Sequence, residues 1–272
     1  MSASTHRRPA ALAFAFALLT GLFMLQPLQS RERLQAHLRL RADRRFVPNT
    51  EKQKVLTYIT THLSDRHIKY LKQCWPGLLN RLTLFQQCDF MMFITKNKTD
   101  EGDAVINSVF NKTGIATTYY SNPGFQEGAI LALVEGFKNG WFKDYDWVVR
   151  LNPDVLIKND TFILASMADK NVSGIFVDCL DTPCPAGRGC PGRQIHTDFF
   201  AIRPKAVSLD AVLAVNETIA ERMATKAFSG IVKNKADAWL PGTDPNKGNC
   251  RVKGATSPVV HDHNLLGTCP PV

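Results

Sequence analysis

The sequence predicts an α/β fold in which a mostly parallel central sheet is flanked by helices. Strand and helix patterns alternate along residues 54–151, which is the order of a doubly wound sheet. The strand patterns are continuously apolar, as in CDFMMFIT at residues 88–95, and such runs are typical of parallel strands covered on both faces. The length of 272 residues and the 44% hydrophobic content are sufficient for one large domain with a core.

The first half of the pattern contains four strands separated by helices. KVLTYIT at residues 54–60 predicts a buried strand, after which Ser64 or Asp65 caps a helix that continues to Pro76. Further strands are predicted at 88–95, 114–120 and 147–151, with helices at 103–110 and 126–141 between them.

The second half continues with shorter elements. We predict a helix at 161–168, a strand at 174–177, a strand at 196–202 and a long amphipathic helix at 209–228. A Gly- and Pro-rich tail then ends in His261-Asp262-His263, which places both imidazoles on one face if the chain is extended there. A tail without fixed structure is the alternative.

The motif Asn152-Pro153-Asp154 stands where the apolar strand 147–151 ends. Pro153 cannot donate to a sheet ladder, so we expect Asn152 and Asp154 at the carboxyl edge of the sheet, where open α/β folds bind ligands. An amide and a carboxylate on one turn are oxygen ligands for a hard divalent ion and the phosphate it carries. A surface turn is the alternative interpretation, because Asn, Pro and Asp are common in turns.

The N-terminal segment predicts a membrane anchor. We divide the chain into a short cytosolic tail at residues 1–9, a signal-anchor at 10–28, a basic stem at 29–51 and a catalytic domain at 52–272. A cleaved signal peptide is the alternative to the anchor. The charge following the apolar run exceeds that preceding it, which opposes a luminal domain by the positive-inside rule.

Glycosylation sequons and cysteines favour an oxidising lumen despite that charge pattern. Each sequon is an acceptor pattern for N-linked glycans in the secretory pathway. The sequons begin at Asn97, Asn111, Asn159, Asn171 and Asn216. The odd number of cysteines leaves at least one thiol outside intramolecular disulfides. The cysteines are Cys74, Cys88, Cys179, Cys184, Cys190, Cys250 and Cys269.

The net charge of +9 does not indicate nucleic-acid binding. Residues 1–45 hold eight Arg against Glu32 and Asp43, so +6 of the charge belongs to the anchor and stem. The remainder of the chain shows no long basic stripe interleaved with aromatic residues, and we therefore exclude a nucleic-acid partner.

The segment VVRLNPDVLI, with the helix at 126–141 before it, resembles the strand and Asp-x-Asp motif of GT-A glycosyltransferases of the type II Golgi kind. The resemblance covers roughly residues 52–265. It implies that Asp154 binds a Mn²⁺ or Mg²⁺ that bridges the donor diphosphate, and that Asn152 faces the metal or the donor ribose. Asn152 departs from the usual acid, although fungal mannosyltransferases with a Glu-Pro-Asp motif are similar in the position of the proline.

The same resemblance implies the remaining binding residues. His261 or His263 looks like the C-terminal histidine that supplies another metal ligand in many members. We assign Thr60, Gln126 and Arg150 to donor binding, because they stand at the strand ends and at the helix beside the donor. The strand HTDFFAIRP resembles the acceptor side of the site.

The chemistry of sugar transfer adds catalytic candidates. An inverting reaction needs a carboxylate base for the acceptor hydroxyl, and Asp198 and Asp237 are the candidates. His196 is a third candidate. The structural alternatives are a capped strand end for Asp198, a solvated helix surface for Asp237 and a hydrogen-bonded buried histidine for His196.

We therefore expect a glycosyltransferase in the Golgi membrane that moves a hexosyl or pentosyl group from a UDP- or GDP-sugar to a glycan or glycoprotein. A catalytically inactive luminal or secreted carbohydrate-binding module is the alternative, and Asn152 is its best argument. A secreted metal-dependent hydrolase has no HExxH or GxSxG motif in its favour.

Overall fold

A computed structural model of the chain describes residues 53–178, 194–241, 257–261 and Cys269. The predicted anchor, stem and cysteine loop lie outside these residues, as does His263. In the described ranges no helix combines the length and the apolar character that crossing a membrane requires.

The strands and helices alternate as the sequence pattern predicts. The strands are β1 Val55–Thr61, β2 Cys88–Thr95, β3 Ala116–Tyr120, β4 Trp147–Leu151, β5 Val155–Ile157, β6 Gly174–Asp178, β7 Ile195–Ile202, β8 Asp237–Trp239 and β9 Val259–His261. The helices are α1 Asp65–Gln73, α2 Trp75–Arg81, α3 Thr83–Gln86, α4 Asp100–Phe110, α5 Phe125–Lys138, α6 Thr161–Ala168, α7 Leu209–Leu213, α8 Ala220–Ala227 and α9 Ser229–Lys233.

Seven of these strands form one sheet in the order β3-β2-β1-β4-β7-β6-β8. Four of its pairings are parallel, and β7 is antiparallel to both β4 and β6. Strand β4 is central and fully buried. The predicted α/β fold with a mostly parallel sheet is thus confirmed, and so is the interior position of residues 147–151.

Helices cover both faces of the sheet. On one face Trp75 stacks on Phe85, and Phe110 packs on Phe90, within a large apolar cluster that also contains Leu151. On the other face Tyr58 donates a hydrogen bond to the Ala132 carbonyl of α5, and Phe200 packs edge-on against Phe228. These two layers explain why the strands carry no polar face.

Two predicted helices are divided in the structure. The helix expected to end at Pro76 is α1 followed by α2, and Pro76 lies in the first turn of α2, where no backbone donor is needed. Residues 209–228 form α7 and α8 with a connection at 214–219. This connection contains Asn216 and Thr218, whose side chains compete with helical backbone bonds.

Antiparallel β7 brings its first residues to the edge where β1 and β4 end. Leu151 pairs with Phe199, and the backbone amide of Asn152 donates to the backbone carbonyl of Asp198 at 3.2 Å. Beyond the turn, β5 pairs with β9, so that Val155 lies opposite His261. The turn at 152–154 is therefore flanked by β7 on one side and β9 on the other.

Candidate active site

A cleft of about 250 Å³ opens at the carboxyl ends of β1 and β4. Its lining comes from the ends of β1, β2 and β4, the starts of α1 and α5, the first half of β7, α8 and β9. The lining includes Thr60, His62, Arg66, His67, Phe125, Gln126, Arg150, Asn152, Asp154, Thr197, Asp198, Glu221 and His261. The cleft lies where the sequence places a ligand site in an open α/β sheet.

Asn152 is held by hydrogen bonds at both ends of its amide. Its Oδ1 accepts from Thr60 Oγ1 at 2.6 Å, and its Nδ2 donates to Asp198 Oδ1 at 2.7 Å. Arg150 Nη2 in turn donates to Thr60 Oγ1 at 2.8 Å. Asn152 thus connects the ends of β1, β4 and β7, and both polar atoms of its side-chain amide are used in these hydrogen bonds.

Arg150 is a buried cation that faces the cleft. Its side chain is 2% exposed, and its Nε and Nη1 have no hydrogen-bond partner within the described part of the chain. Burial lowers the pKa of Arg150, against the opposing effect of Asp198, Tyr58 and Glu221. Because an unpaired buried donor costs free energy, these two donors suit a ligand in the cleft.

Glu221 offers the complementary acceptor. Its Oε1 accepts from Thr197 Oγ1 at 2.7 Å, and its buried Oε2 has no hydrogen-bond partner among the described residues. Glu221 lies in the first turn of α8, and Gln126 Oε1 accepts from the Ala220 amide at 2.6 Å just before it. Gln126 therefore fixes the start of α8 and so the position of Glu221.

Asp154 is buried, with 2% exposure, rather than at a solvent-facing strand end. Arg66 Nε lies 3.0 Å from its Oδ2, His67 Nε2 lies 3.4 Å from its Oδ1, and His261 Nε2 lies 3.8 Å from its Oδ2. Burial alone raises the pKa of Asp154, but His261 and His67 outweigh it and hold that pKa well below its usual range. Asp154 is thus a buried carboxylate kept ionised by His261 and His67, with Arg66 Nε also beside it.

His196, Asp198 and His261 bring three metal-binding groups together, with one ligand atom from each lying within 4.8 Å of the others. His261 Nε2 is 3.6 Å from Asp198 Oδ2, and His261 Nδ1 is 3.3 Å from His196 Nε2. Burial raises the pKa of Asp198, but His196, His261 and Arg150 together lower it by more than burial raises it. The pKa of Asp198 is therefore below its usual value, and Asp198 is also ionised. His261 joins this group to Asp154.

The donor set fits a divalent cation. Two ionised carboxylates, Asp154 and Asp198, and two imidazoles, His196 and His261, are oxygen and nitrogen ligands that suit Mn²⁺. His196 Nδ1 accepts from the Asp198 backbone amide at 3.0 Å, and His196 Nε2 lies 3.3 Å from His261 Nδ1. His261 Nε2 faces both carboxylates and would bind the ion as the unprotonated nitrogen of a neutral ring.

The structure brings together most of the site residues predicted from the sequence. Thr60, Gln126, Arg150, Asn152, Asp154, Asp198, His196 and His261 surround the cleft or its cation cluster. Asp237 does not line the cleft, because it lies on β8 at the far edge of the sheet, with Trp239 Nε1 donating to its carboxylate. His263 falls outside the described residues.

Several cleft residues were not indicated by the sequence, among them Arg66 and His67 in the first turn of α1 and Glu221 in the first turn of α8. Thr197 belongs to the strand that the sequence assigns to the acceptor side. The signal for Arg66 and His67 was the helix start directly after β1, where Ser64 accepts a hydrogen bond from the His67 amide. No local signal marked Glu221.

The mouth of the cleft carries an aromatic side chain. Phe125, the first residue of α5, is 80% exposed, and its ring meets His62 edge-on. Burial, with His67 and Arg66 nearby, lowers the pKa of His62 to about 4, so this imidazole is neutral at neutral pH. The rim is therefore an uncharged stacking surface above a polar floor.

No protein-family model matches the chain, and no curated protein matches its sequence. The fold is similar to that of solved glycosyltransferases. The WbbM bifunctional glycosyltransferase has a TM-score of 0.47 and 12% identity, over 82% of this chain and 47% of its own. A mannosyltransferase from Pyrobaculum calidifontis, in complex with GDP-Man and Mn²⁺, has a TM-score of 0.44 and 14% identity, over 87% of this chain and 69% of its own. Mouse xyloside xylosyltransferase 1 has a TM-score of 0.47 and 9% identity, over 78% of this chain and 98% of its own. The chain thus spans less than half the length of the WbbM protein.

Proposed function

We propose that this protein is a metal-assisted glycosyltransferase that moves a hexosyl or pentosyl group from a UDP- or GDP-sugar to a glycan or glycoprotein acceptor. The observation that carries the proposal is the cluster of Asp154, Asp198, His196 and His261 at the carboxyl ends of β1 and β4. Arg150 and Glu221 lie beneath the adjoining floor of the cleft, and each has buried polar atoms without a hydrogen-bond partner among the described residues.

The cluster would hold Mn²⁺ or Mg²⁺ through the Asp154 and Asp198 carboxylates and the two imidazoles. When bound, the ion supplies the positive charge that stabilises a departing nucleoside diphosphate. The protein contributes the fixed positions of these groups: Trp75 Nε1 donates to the Pro153 carbonyl at 3.0 Å and so supports the turn before Asp154.

Arg150 and Glu221 fit the transferred sugar. A hydroxyl group accepts from a guanidinium and donates to a carboxylate, whereas a phosphate only accepts and would be repelled by Glu221. Because both side chains are buried beneath the cleft, each hydrogen bond forms away from bulk water, where an unpaired group is costly. The floor therefore suits a neutral ring with several hydroxyls.

We assign Asp198 to the cation rather than to proton transfer, because a carboxylate with a lowered pKa is a weak general base. Its side chain is 25% exposed. Asn152 Nδ2 donates to its Oδ1 and leaves Oδ2 facing His261. Asp237, on the far edge of the sheet, has no comparable position.

Hydrolysis of nucleotide-sugars tests the proposal directly. With Mn²⁺ present, we expect slow release of UDP or GDP from at least one nucleotide-sugar, because water replaces the acceptor. Asp154→Asn should lose most of this release, and EDTA should abolish it. Equal release by wild type and Asp154→Asn would contradict the proposed site.

A catalytically inactive carbohydrate-binding module is the second candidate. It is favoured by Asn152, whose amide is committed to Thr60 and Asp198 and replaces the acid of an Asp-x-Asp motif. Such a module would bind sugars or nucleotide-sugars without releasing nucleotide in any of these assays.

We further propose that the domain works in the Golgi lumen behind an N-terminal anchor. The five sequon asparagines are all exposed. Cys74 and Cys269 form a disulfide, which suits an oxidising compartment.

A further inference from the structure

We propose that Arg66 is an exchangeable counter-ion of Asp154, which leaves the carboxylate when a divalent cation binds. The inference rests on the metal-dependent part of the proposed function. It concerns how the protein keeps a buried carboxylate ionised before the cation arrives. Arg66 Nε lies 3.0 Å from Asp154 Oδ2, on the same carboxylate that would hold the cation.

A buried carboxylate without a cation nearby is costly, so the protein must compensate Asp154 in the metal-free state. Arg66, His67 and His261 are among the groups that do so. The Arg66 guanidinium carries a full positive charge at neutral pH whatever the state of the two imidazoles. Arg66 is therefore the group whose charge a divalent cation duplicates.

His67 is fixed in place and stays with Asp154. Thr61 Oγ1 accepts from the Leu63 amide at 2.9 Å and lies 2.8 Å from His67 Nδ1. His67 Nε2 lies 3.4 Å from Asp154 Oδ1, and with 2% exposure the ring has no room to leave.

His261 is fixed by the backbone. It belongs to β9, which pairs with β5, and the partner of His261 in this ladder is Val155, the residue after Asp154. Its imidazole also contacts His196 and Asp198. His261 therefore remains in the cluster as a ligand.

Arg66 differs from both histidines in its freedom. Its side chain is 35% exposed, and its guanidinium extends from the first turn of α1 into the cleft. Its buried Nε makes no aligned hydrogen bond within the described residues, so its contact with Asp154 is an attraction of charges. A long side chain with this contact can move into the open cleft.

Two opposite effects follow from this exchange. Arg66 stabilises the metal-free protein, and it also weakens cation binding, because the cation must displace a charge of the same sign. After displacement the guanidinium remains at the cleft, where an anionic phosphate group would attract it.

Direct binding of Mn²⁺ without nucleotide tests the proposal, with free Mn²⁺ followed by electron paramagnetic resonance. Arg66→Gln should bind Mn²⁺ about three- to fivefold more tightly than wild type, the effect expected from removing one competing ion pair. Lys72→Gln is the matched control, because it removes the same charge from an exposed position on the same helix and should leave the affinity unchanged. Arg66→Lys keeps the charge and should stay close to wild type.

The melting temperature gives an independent readout on the same variants. Without metal, Arg66→Gln should melt below wild type, and saturating Mn²⁺ should raise its midpoint by more than that of wild type. Unchanged or weaker Mn²⁺ binding by Arg66→Gln would overturn the proposal. Absence of Mn²⁺ binding by every variant would also overturn the proposal, and the metal would then be removed from the proposed function. Nucleotide binding in EDTA would in that case still support a donor site in the cleft.

Discussion

Asp154 combines burial with a full negative charge, and its neighbours explain why. Arg66, His67 and His261 surround it, so the charge is compensated from three different elements. Removing the charge is therefore expected to affect both the proposed cation site and the fold. Removing the charge of a solvent-facing aspartate at a strand end would affect only the cation site.

Asp154→Asn should lose most Mn²⁺ affinity and should also destabilise the protein by on the order of 2 kcal/mol, because Arg66 and the histidines lose their anionic partner. Isothermal titration with Mn²⁺ and urea unfolding measure the two effects. Asp210→Asn, an exposed aspartate on α7, should change neither. Wild-type Mn²⁺ affinity in Asp154→Asn would show that the carboxylate is not a ligand.

Glu221→Gln separates the sugar from the nucleotide. We expect weaker binding of the nucleotide-sugar, by about tenfold for one lost hydrogen bond to a charged group, with the affinity for the free nucleoside diphosphate unchanged. Glu101→Gln, an exposed substitution on α4, serves as the control. An equal loss for sugar-linked and free nucleotide would place Glu221 outside the sugar site.

Sequence patterns predicted some of these residues and missed others for a physical reason. Asn152 and Asp154 follow an apolar strand directly, and this local pattern is sufficient to place them at a sheet edge. Arg66 and Glu221 reach the cleft because α1 packs against α2 and α4 and α8 packs against β7, and no local pattern contains that packing. Asp237 is an error in the other direction, because it was predicted as a catalytic candidate and does not line the cleft. Its sequence surroundings resemble a helix and do not indicate the edge strand on which it lies.

At the scale of elements, the site depends on a short two-stranded sheet. Strands β5 and β9 have three residues each, and they are about a hundred positions apart in the chain, so neither was predicted. Their pairing places His261 beside Asp154 and Asp198. Eight residues after His261, Cys269 is joined to Cys74, whose neighbour Trp75 supports the turn at Pro153.

Replacing both Cys74 and Cys269 by Ser should destabilise the protein by about 2–5 kcal/mol, because the disulfide closes a long loop. We also expect weaker Mn²⁺ binding at temperatures where the variant is folded, since β9 loses its anchor to α2. Unfolding and Mn²⁺ titration of the double variant measure these effects. As a control, Cys88→Ala removes a buried free thiol and should leave Mn²⁺ binding intact. Unchanged Mn²⁺ affinity in the double variant would show that the position of β9 does not depend on the disulfide.

At the scale of the whole molecule, the position of the sequons bears on topology. Asn97, Asn111, Asn159, Asn171 and Asn216 are exposed and lie outside the helices and strands. Expression in secretory cells should therefore give a product whose apparent mass falls after glycosidase treatment. A product with all five asparagines unmodified would contradict the luminal assignment without affecting the fold.

The central claim is that the cleft at Asn152 and Asp154 binds a nucleotide-sugar with a divalent cation. A thermal-shift screen of UDP, GDP and their sugars, with Mn²⁺ or EDTA, tests it most directly. We predict that one nucleotide class raises the melting midpoint of the wild-type protein in Mn²⁺, because ligand binding stabilises the folded state. The shift should be lost in EDTA and in Asp154→Asn. No shift with any nucleotide, or the same shift in wild type and Asp154→Asn, would contradict the account.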